Sequence, residues 1–313
     1  MTELYLTEGN LIGTPQNGEY LSSLDALETA MREGRILEAV ATRAQGANEL
    51  LVDLGNYTGV IEKEDVQLTD GEPVKDIAVI TRVGKPVCFK VVEIERKRVG
   101  APVIRLSRRA AQLECAVKYL ARLRPGDVIA ARATHLEPFG AFVDVGCGII
   151  SLLTIDSMSV SRISHPSDRL SVGSEINVVV RDVHKNAEGV PTRIFVTRRE
   201  LLGTWEENAA LFSVGQTVTG IVRSVEPYGI FVELTPNLAG LAEYREGVTV
   251  GQSAAVYIKN IIPERMKVKL AIIDTGRALP PTRANTVVSD EDHIERWRYS
   301  PEACERVVET VFE

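Results

Sequence analysis

Two stretches of this chain repeat each other without a gap. Pro125-Gly126-Asp127-Val128-Ile129 and Glu137-Pro138-Phe139-Gly140-Ala141-Phe142-Val143-Asp144-Val145 recur 89 residues later. The later copy reads Val214-Gly215-Gln216-Thr217-Val218 and Glu226-Pro227-Tyr228-Gly229-Ile230-Phe231-Val232-Glu233-Leu234. A weaker third copy starts at Glu33-Gly34-Arg35-Ile36-Leu37, continues through Leu50-Leu51-Val52-Asp53-Leu54-Gly55 and closes at Val103-Ile104-Arg105-Leu106-Ser107. Self-similarity of this kind means one structural unit used several times. A length of 313 residues suits two or three domains better than a single core.

Each copy reads as short strands. Val143 and Val145 alternate with Phe142 and Asp144, and Val232 and Leu234 with Phe231 and Glu233, so one set fills an interior and the other faces out. Five short strands closed on themselves remove open edges, which is the OB-fold solution. The expected fold class is all-β: three tandem five-stranded OB-fold barrels joined by short helices, with a helical N-terminal segment and a polar C-terminal tail. The expected domains are 1–32, an N-terminal segment in which Ser23 caps a helix Leu24–Glu33; 33–107, a degenerate first repeat; and 108–122, a helical connector capped by Ser107, with Ala111, Cys115, Val117 and Leu120 on its buried side. Then come 123–197, the second repeat; 198–212, a second helical connector; 213–275, the third repeat; and 276–313, an acidic tail. Its Pro280-Pro281 and Asp290-Glu291-Asp292 runs mark it as mostly flexible.

The net charge of −7 argues at first against a nucleic-acid partner, whose usual mark is a basic footprint. Its distribution reverses that. Met1 to Arg32 carries −4 and Gly276 to Glu313 carries −3, whereas Arg124 to Glu200 has nine charges of each sign and Ser213 to Thr275 six of each. Neutral modules bind a strand through a local basic track and stacking. Aromatics make up only 5% of the chain, so a pair of rings three residues apart, recurring in two modules, calls for a reason. Phe139 and Phe142, and Tyr228 and Phe231, are placed at the mouth and on the outer side of a second strand, where successive bases can stack. In the second barrel the closing strand is Arg193-Ile194-Phe195-Val196-Thr197, with Arg193 and Phe195 outward and His184 and Lys185 in the preceding hairpin. In the third, Lys267 and Lys269 face out and Arg265 sits in the turn. A longer loop of the second barrel adds Arg162, His165 and Arg169 as candidate extra RNA contacts. The first barrel shows Asn48 and Leu51 in place of the rings and Val103 in place of Arg193 and Lys267; its Arg96-Lys97-Arg98 run belongs to a hairpin turn. It is expected to dock to a partner or to the rest of the chain.

These motifs resemble ribosomal protein S-one and its OB-type repeats. Phe139-Gly140-Ala141-Phe142-Val143-Asp144 fits the family's second-strand signature closely, and Tyr228-Gly229-Ile230-Phe231-Val232 nearly as well. The likeness spans about Glu33 to Thr275 and is nearest the short, few-repeat relatives of Gram-positive bacteria. It implies binding of single-stranded RNA, commonly mRNA at the small ribosomal subunit, with the four rings stacking on bases and Arg193 and Lys267 as closing-strand cations. Family members often carry a histidine after the second strand; Glu62, Ser151 and Glu243 take that place here, and His184 replaces an acid common before the last strand.

Rival classes find less support. The chain contains no GxxxxGK[ST], HExxH or GxSxG, its four histidines lie far apart, and its carboxylates are scattered. No catalytic residue, metal site or cofactor is expected. Similar barrels accompany ribonucleases, but those need a separate catalytic domain. A docking or scaffold module is the main alternative, and an RNA-processing or regulatory factor away from the ribosome the other. Cys88, Cys115, Cys147 and Cys304 show no paired spacing and are expected as reduced, mostly buried thiols. With no secretory signal and no apolar run of the ~20 residues needed to cross a bilayer, a cytoplasmic monomer is the expectation.

Overall fold

A computed structural model describes residues 5–45, 48–97, 99–276 and 288–313. Its strands close into three five-stranded barrels. The first contains β1 (Leu37–Gln45), β2 (Glu49–Asp53), β3 (Thr58–Glu62), β4 (Pro86–Glu95) and β5 (Val103–Ser107), in the order β1-β2-β3-β5-β4. The second contains β6 (Val128–Glu137), β7 (Gly140–Asp144), β8 (Ile150–Thr154), β9 (Glu175–Lys185) and β10 (Pro191–Thr197). The third contains β11 (Thr217–Glu226), β12 (Gly229–Thr235), β13 (Leu238–Ala242), β14 (Ser253–Ile262) and β15 (Lys267–Gly276). Each barrel has a parallel pair between its third and fifth strands, seen at β3 and β5, β8 and β10, and β13 and β15.

Period-two alternation sets what fills each barrel. On β2, Leu50 and Val52 are fully buried; on β12, Ile230 and Val232 are, and on β15, Val268 and Leu270. The glycine opening the second strand is required by close approach rather than by a turn alone. A Cβ on Gly140 would lie 2.5 Å from the Leu153 carbonyl, and one on Gly229 would lie 2.5 Å from that of Ala242.

By its contacts the chain divides into two compact units. One runs through Leu123 and includes Asp144–Ser151 and Val183–Ile194; the other comprises Arg124–Val143, Leu152–Asp182 and Phe195 onward. In the first unit, the helix Leu24–Glu33 begins at Ser23, whose hydroxyl accepts from the Ala26 amide at 3.2 Å, and ends at Gly34 in the left-handed region. An unforeseen short helix, Pro15–Leu21, precedes it. The connector helix Arg108–Lys118 starts at Ser107 and gives way to a 3₁₀ turn at Leu120–Arg122. Its buried face is Arg108, Ala111, Gln112, Cys115 and Ala116, a helical stripe that leaves Val117 exposed, contrary to expectation.

In the second unit, the connector after the second barrel is a 3₁₀ turn, Arg199–Leu202, and a five-residue helix, Trp205–Ala209, rather than one long helix. Thr204 and Glu207 form a capping box at its start. The expectation of a mostly flexible tail fails over 288–313. Arg296–Arg298 and Glu309–Val311 pair as two antiparallel strands. Ile294, Trp297 and Tyr299 are buried in one cluster with Trp205, Phe212 and Leu238 of the third barrel and its connector. The apolar residues here are few but large, and an average over a polar segment hides them. Pro280-Pro281 lies outside the described residues. The Tyr299 hydroxyl donates to the Asn237 carbonyl at 2.6 Å in a buried site. Tyr299→Phe leaves that carbonyl short of a donor and is expected to cost about 1 kcal/mol, read as a lowered urea midpoint of the tryptophan signal; an unchanged midpoint would show that this hydrogen bond contributes nothing to stability.

The cysteines Cys88, Cys115, Cys147 and Cys304 are free and buried. Among the described residues no group of three or more His, Cys, Asp or Glu is arranged to hold a metal ion, and no helix is long and apolar enough to cross a membrane.

Candidate nucleic-acid interface

The third barrel shows the site most completely. Backbone register sets Phe231 opposite Leu241 on the neighbouring strand, and Leu241 opposite Lys269 on the next. Residues in register on adjacent strands share a face, so ring, aliphatic side chain and ammonium form one row across three strands. Tyr228 stands at the mouth of β12, 70% exposed, and meets Phe231 edge-to-face with centroids 6.3 Å apart at 86°. Lys267 and Lys269 are exposed while Val268 and Leu270 fill the barrel. Glu243 is paired with Lys259 at 2.9 Å, and that contact holds its carboxyl below the usual range.

The second barrel repeats the ring geometry. Phe139, 54% exposed, meets half-buried Phe142 edge-to-face at 6.1 Å and 89°. Here a third ring joins. His135 stacks on Phe142 with centroids 6.2 Å apart and 25° between planes, and its Nε2 lies 2.7 Å from Glu137. Sequence reasoning missed His135, although the 89-residue offset pairs it with Ser224, which the backbone sets opposite Phe231. Phe195 is exposed on β10, in register with Leu152. Arg193 and His184 are exposed; Lys185 is exposed as well, and its ammonium donates to the Ala121 carbonyl at 2.8 Å. An ammonium has three donors, so this leaves Lys185 capacity for a further partner.

The three candidate extra RNA contacts of the extended loop are placed differently from one another. Arg162 is exposed. His165 caps the 3₁₀ turn Pro166–Asp168, accepting from the Ser167 amide. The Arg169 side chain is only 4% exposed and is committed to Glu233 through a two-pronged pair at 2.6 and 2.9 Å. It is therefore removed as an RNA contact: a guanidinium already buried against a carboxylate has little to offer a phosphate.

Register also corrects one equivalence. Val60, Leu152 and Leu241 occupy the same place, opposite Arg105, Phe195 and Lys269 on the closing strands. The position two residues later is Glu62, Thr154 and Glu243, so Thr154 replaces Ser151 in that set. Ser151 is buried, its hydroxyl donating to the Ile194 carbonyl at 2.6 Å. The same register makes Val103 the counterpart of Arg193 and Lys267.

The first barrel keeps the scaffold with other chemistry on it. The Lys63 amide donates to the Asn48 carbonyl at 2.7 Å as the Ile155 amide donates to that of Phe139 at 3.0 Å, so Asn48 stands where Phe139 stands. Leu51 pairs with Val60 as Phe231 pairs with Leu241. Arg105, at the Lys269 position, is held by Glu62 and by Glu93 at 3.1 Å. Arg96 is paired with Asp25 and Glu28 at 2.7 and 2.8 Å. Arg98 lies outside the described residues.

Closed five-stranded barrels in tandem, two of them bearing paired rings on the outer face of the second strand, define a tandem OB-barrel protein. A family model described as the S1 RNA binding domain matches residues 122–194, the second barrel. The chain is 30% identical over 297 residues to small ribosomal subunit protein bS1 of Staphylococcus haemolyticus, covering 86% of this chain and 71% of that one. It is 27% identical over 280 residues to bS1 of Mycobacterium leprae, covering 85% of this chain and 55% of that protein. A solved structure from Streptococcus pneumoniae, described as a multidomain protein with nucleic acid binding domains, aligns over 77% of this chain and 74% of that one at 14% identity and a TM-score of 0.23. The chain belongs to the small ribosomal subunit protein bS1 family. It spans about half the length of the mycobacterial relatives it matches.

Proposed function

We propose that the chain binds single-stranded RNA, mRNA in translation, on the outer faces of its second and third barrels. The observation that carries this reading is the ring pair built twice with nearly the same geometry, 6.1 Å and 89° in one barrel and 6.3 Å and 86° in the next. Bases stack on Phe139, Phe142, Tyr228 and Phe231, and His135 widens the second platform. Phosphates are met by Arg193, Lys267 and Lys269, with His184 and Lys185 at the hairpin and Arg162 in the loop. Every base has a π-face, so the mode tolerates many sequences. The chain acts as a monomer without catalysis, and the small ribosomal subunit is its partner. Membership of the bS1 family supports that partner.

Fluorescence anisotropy with a labelled oligouridylate, run across a salt series, tests RNA binding. With the five cations Arg193, Lys267, Lys269, Lys185 and Arg162 each meeting a phosphate, affinity should fall roughly 100-fold between about 50 and 200 mM salt. A salt-independent affinity, or none, would remove the phosphate track and favour a docking module. Sedimentation with small subunits on a sucrose gradient tests the partner; migration away from them would point to RNA regulation off the ribosome.

A further inference from the structure

The acid two residues beyond the platform position is Asp53, Asp144 or Glu233 in the three barrels. Alternation puts this residue on the outer face, where a carboxylate belongs in water. Asp53 does so: it is exposed and accepts from the Gly55 amide at 2.9 Å within its own turn. Asp144 and Glu233 are instead 1% and 5% exposed. Each is covered by chain that precedes its barrel. Asp144 accepts the Glu8 amide at 2.7 Å, and the Cys147 amide beside it donates to the Leu6 carbonyl at 2.9 Å. Glu233 takes the Arg169 fork and also Arg223 of its own barrel at 2.8 Å, while Arg223 reaches Asp168 at 3.1 Å. Around that centre the second module's loop is stitched to the end of β12. The Ser161 amide donates to the Pro236 carbonyl at 3.0 Å, and the Val160 amide to the Asn237 side chain at 2.9 Å.

We propose that this acid is a latch that seats the preceding segment on the barrel, and that in the third barrel Glu233 couples the second module's loop to the strand that carries Phe231. Two guanidinium groups, Arg169 and Arg223, meet two carboxylates, Glu233 and Asp168, and the fork geometry fixes orientation as well as distance. A buried pair of this kind is weak evidence for net stability, so the role inferred for this one is to fix geometry. Resting on the RNA-binding reading, the latch makes the third platform present itself to a strand already held by the second, because a fixed link raises the effective concentration of the second contact. Glu233 and Arg169 are thereby positioning residues that do not touch RNA. Glu233 lies two residues from Phe231, on the same face of the same strand, so the loop that Arg169 seats there makes a wall beside the platform.

The test uses the full chain with Glu233→Gln, Arg169→Gln, the double variant, and Arg169→Lys, which keeps the charge and loses the fork. Two readouts are taken: hydrogen exchange at residues 159–169, and affinity for oligouridylates of about 6 and about 24 nucleotides, sizes chosen to fill one barrel or to span two. The latch predicts exchange at the Val160 and Ser161 amides at least about 10-fold faster in each single variant, with little further gain in the double. It predicts affinity for the short probe within about twofold of wild type and a loss of about 10-fold for the long one. Unchanged exchange would overturn the latch. Equal losses on both probes would overturn its positioning role by making Glu233 or Arg169 part of the RNA contact. Failure of the wild-type chain to bind either probe would overturn the RNA reading instead, and the exchange rates would then decide the latch alone.

Discussion

Replacing Phe142 and Phe231 together by alanine should weaken binding of single-stranded RNA at least about 30-fold, since each stacked base contributes roughly 1–3 kcal/mol. The effect should come from binding and not from unfolding. Both rings lie on the outer face, half-buried, where they meet the neighbouring rings Phe139, His135 and Tyr228. The barrel interior behind them is filled by Val143, Ile230 and Val232, which the substitutions leave in place. Thermal midpoints should therefore stay close to wild type. Stacking carries no charge, so the slope of affinity against salt should also persist while the whole curve shifts. Leu51→Ala, at the same register position of the first barrel, should leave RNA affinity unchanged because no ring is removed there. A loss below about threefold in the double variant, or an equal loss in Leu51→Ala, would sink the stacking platform.

How far the sequence alone reveals this chain depends on whether a residue's role is set by its own strand. Phe142, Phe231, Lys267 and Lys269 occupy outer-face places that alternation and the repeat predict, because both depend on spacing along one strand. The capped helix Leu24–Glu33 likewise follows from Ser23 and Gly34 within a few residues. Roles fixed by a distant segment were not legible. Arg169 reads as a phosphate ligand until Glu233, 64 residues away, is seen to hold it. Arg108 is absent from the buried side expected of its helix, yet it is buried against Glu8, 100 residues earlier. Trp297 and Tyr299 are spaced as a strand's buried face should be, inside a segment whose acidic composition points to a flexible tail. Ser151 was misplaced by counting along the chain where only the parallel pairing with the closing strand sets the register.

Arg108→Met should cost about 3–5 kcal/mol, the usual consequence of stripping one partner from a buried ion pair. The guanidinium is 1% exposed and donates to both oxygens of Glu8, at 2.6 and 3.0 Å, and to the Val66 and Gly148 carbonyls at 3.0 and 3.1 Å. Methionine fills the stem's volume, so the cost is electrostatic more than a packing loss. Burial alone would push the Glu8 carboxyl up; the charge of Arg108 outweighs it and leaves Glu8 below its ordinary value. Beside it, burial and the charge of Glu8 push Asp144 up to about 7. These two acids set the sign of the pH dependence. A carboxyl whose folded value is raised holds a proton that the unfolded chain has released, so its contribution to stability falls as pH rises toward that value. Removing Arg108 moves Glu8 into this class and raises Asp144 further. The variant should thus lose less relative to wild type at pH 5 than at pH 8, where two carboxylates face each other with Arg82, 3.4 Å from Glu8, as the cation left beside them among the described residues. Urea midpoints at the two pH values, with hydrogen exchange at the β4 and β5 amides locating the loss in the first barrel, decide it. A penalty that is the same at both pH values would mean that packing rather than charge is what Arg108 supplies.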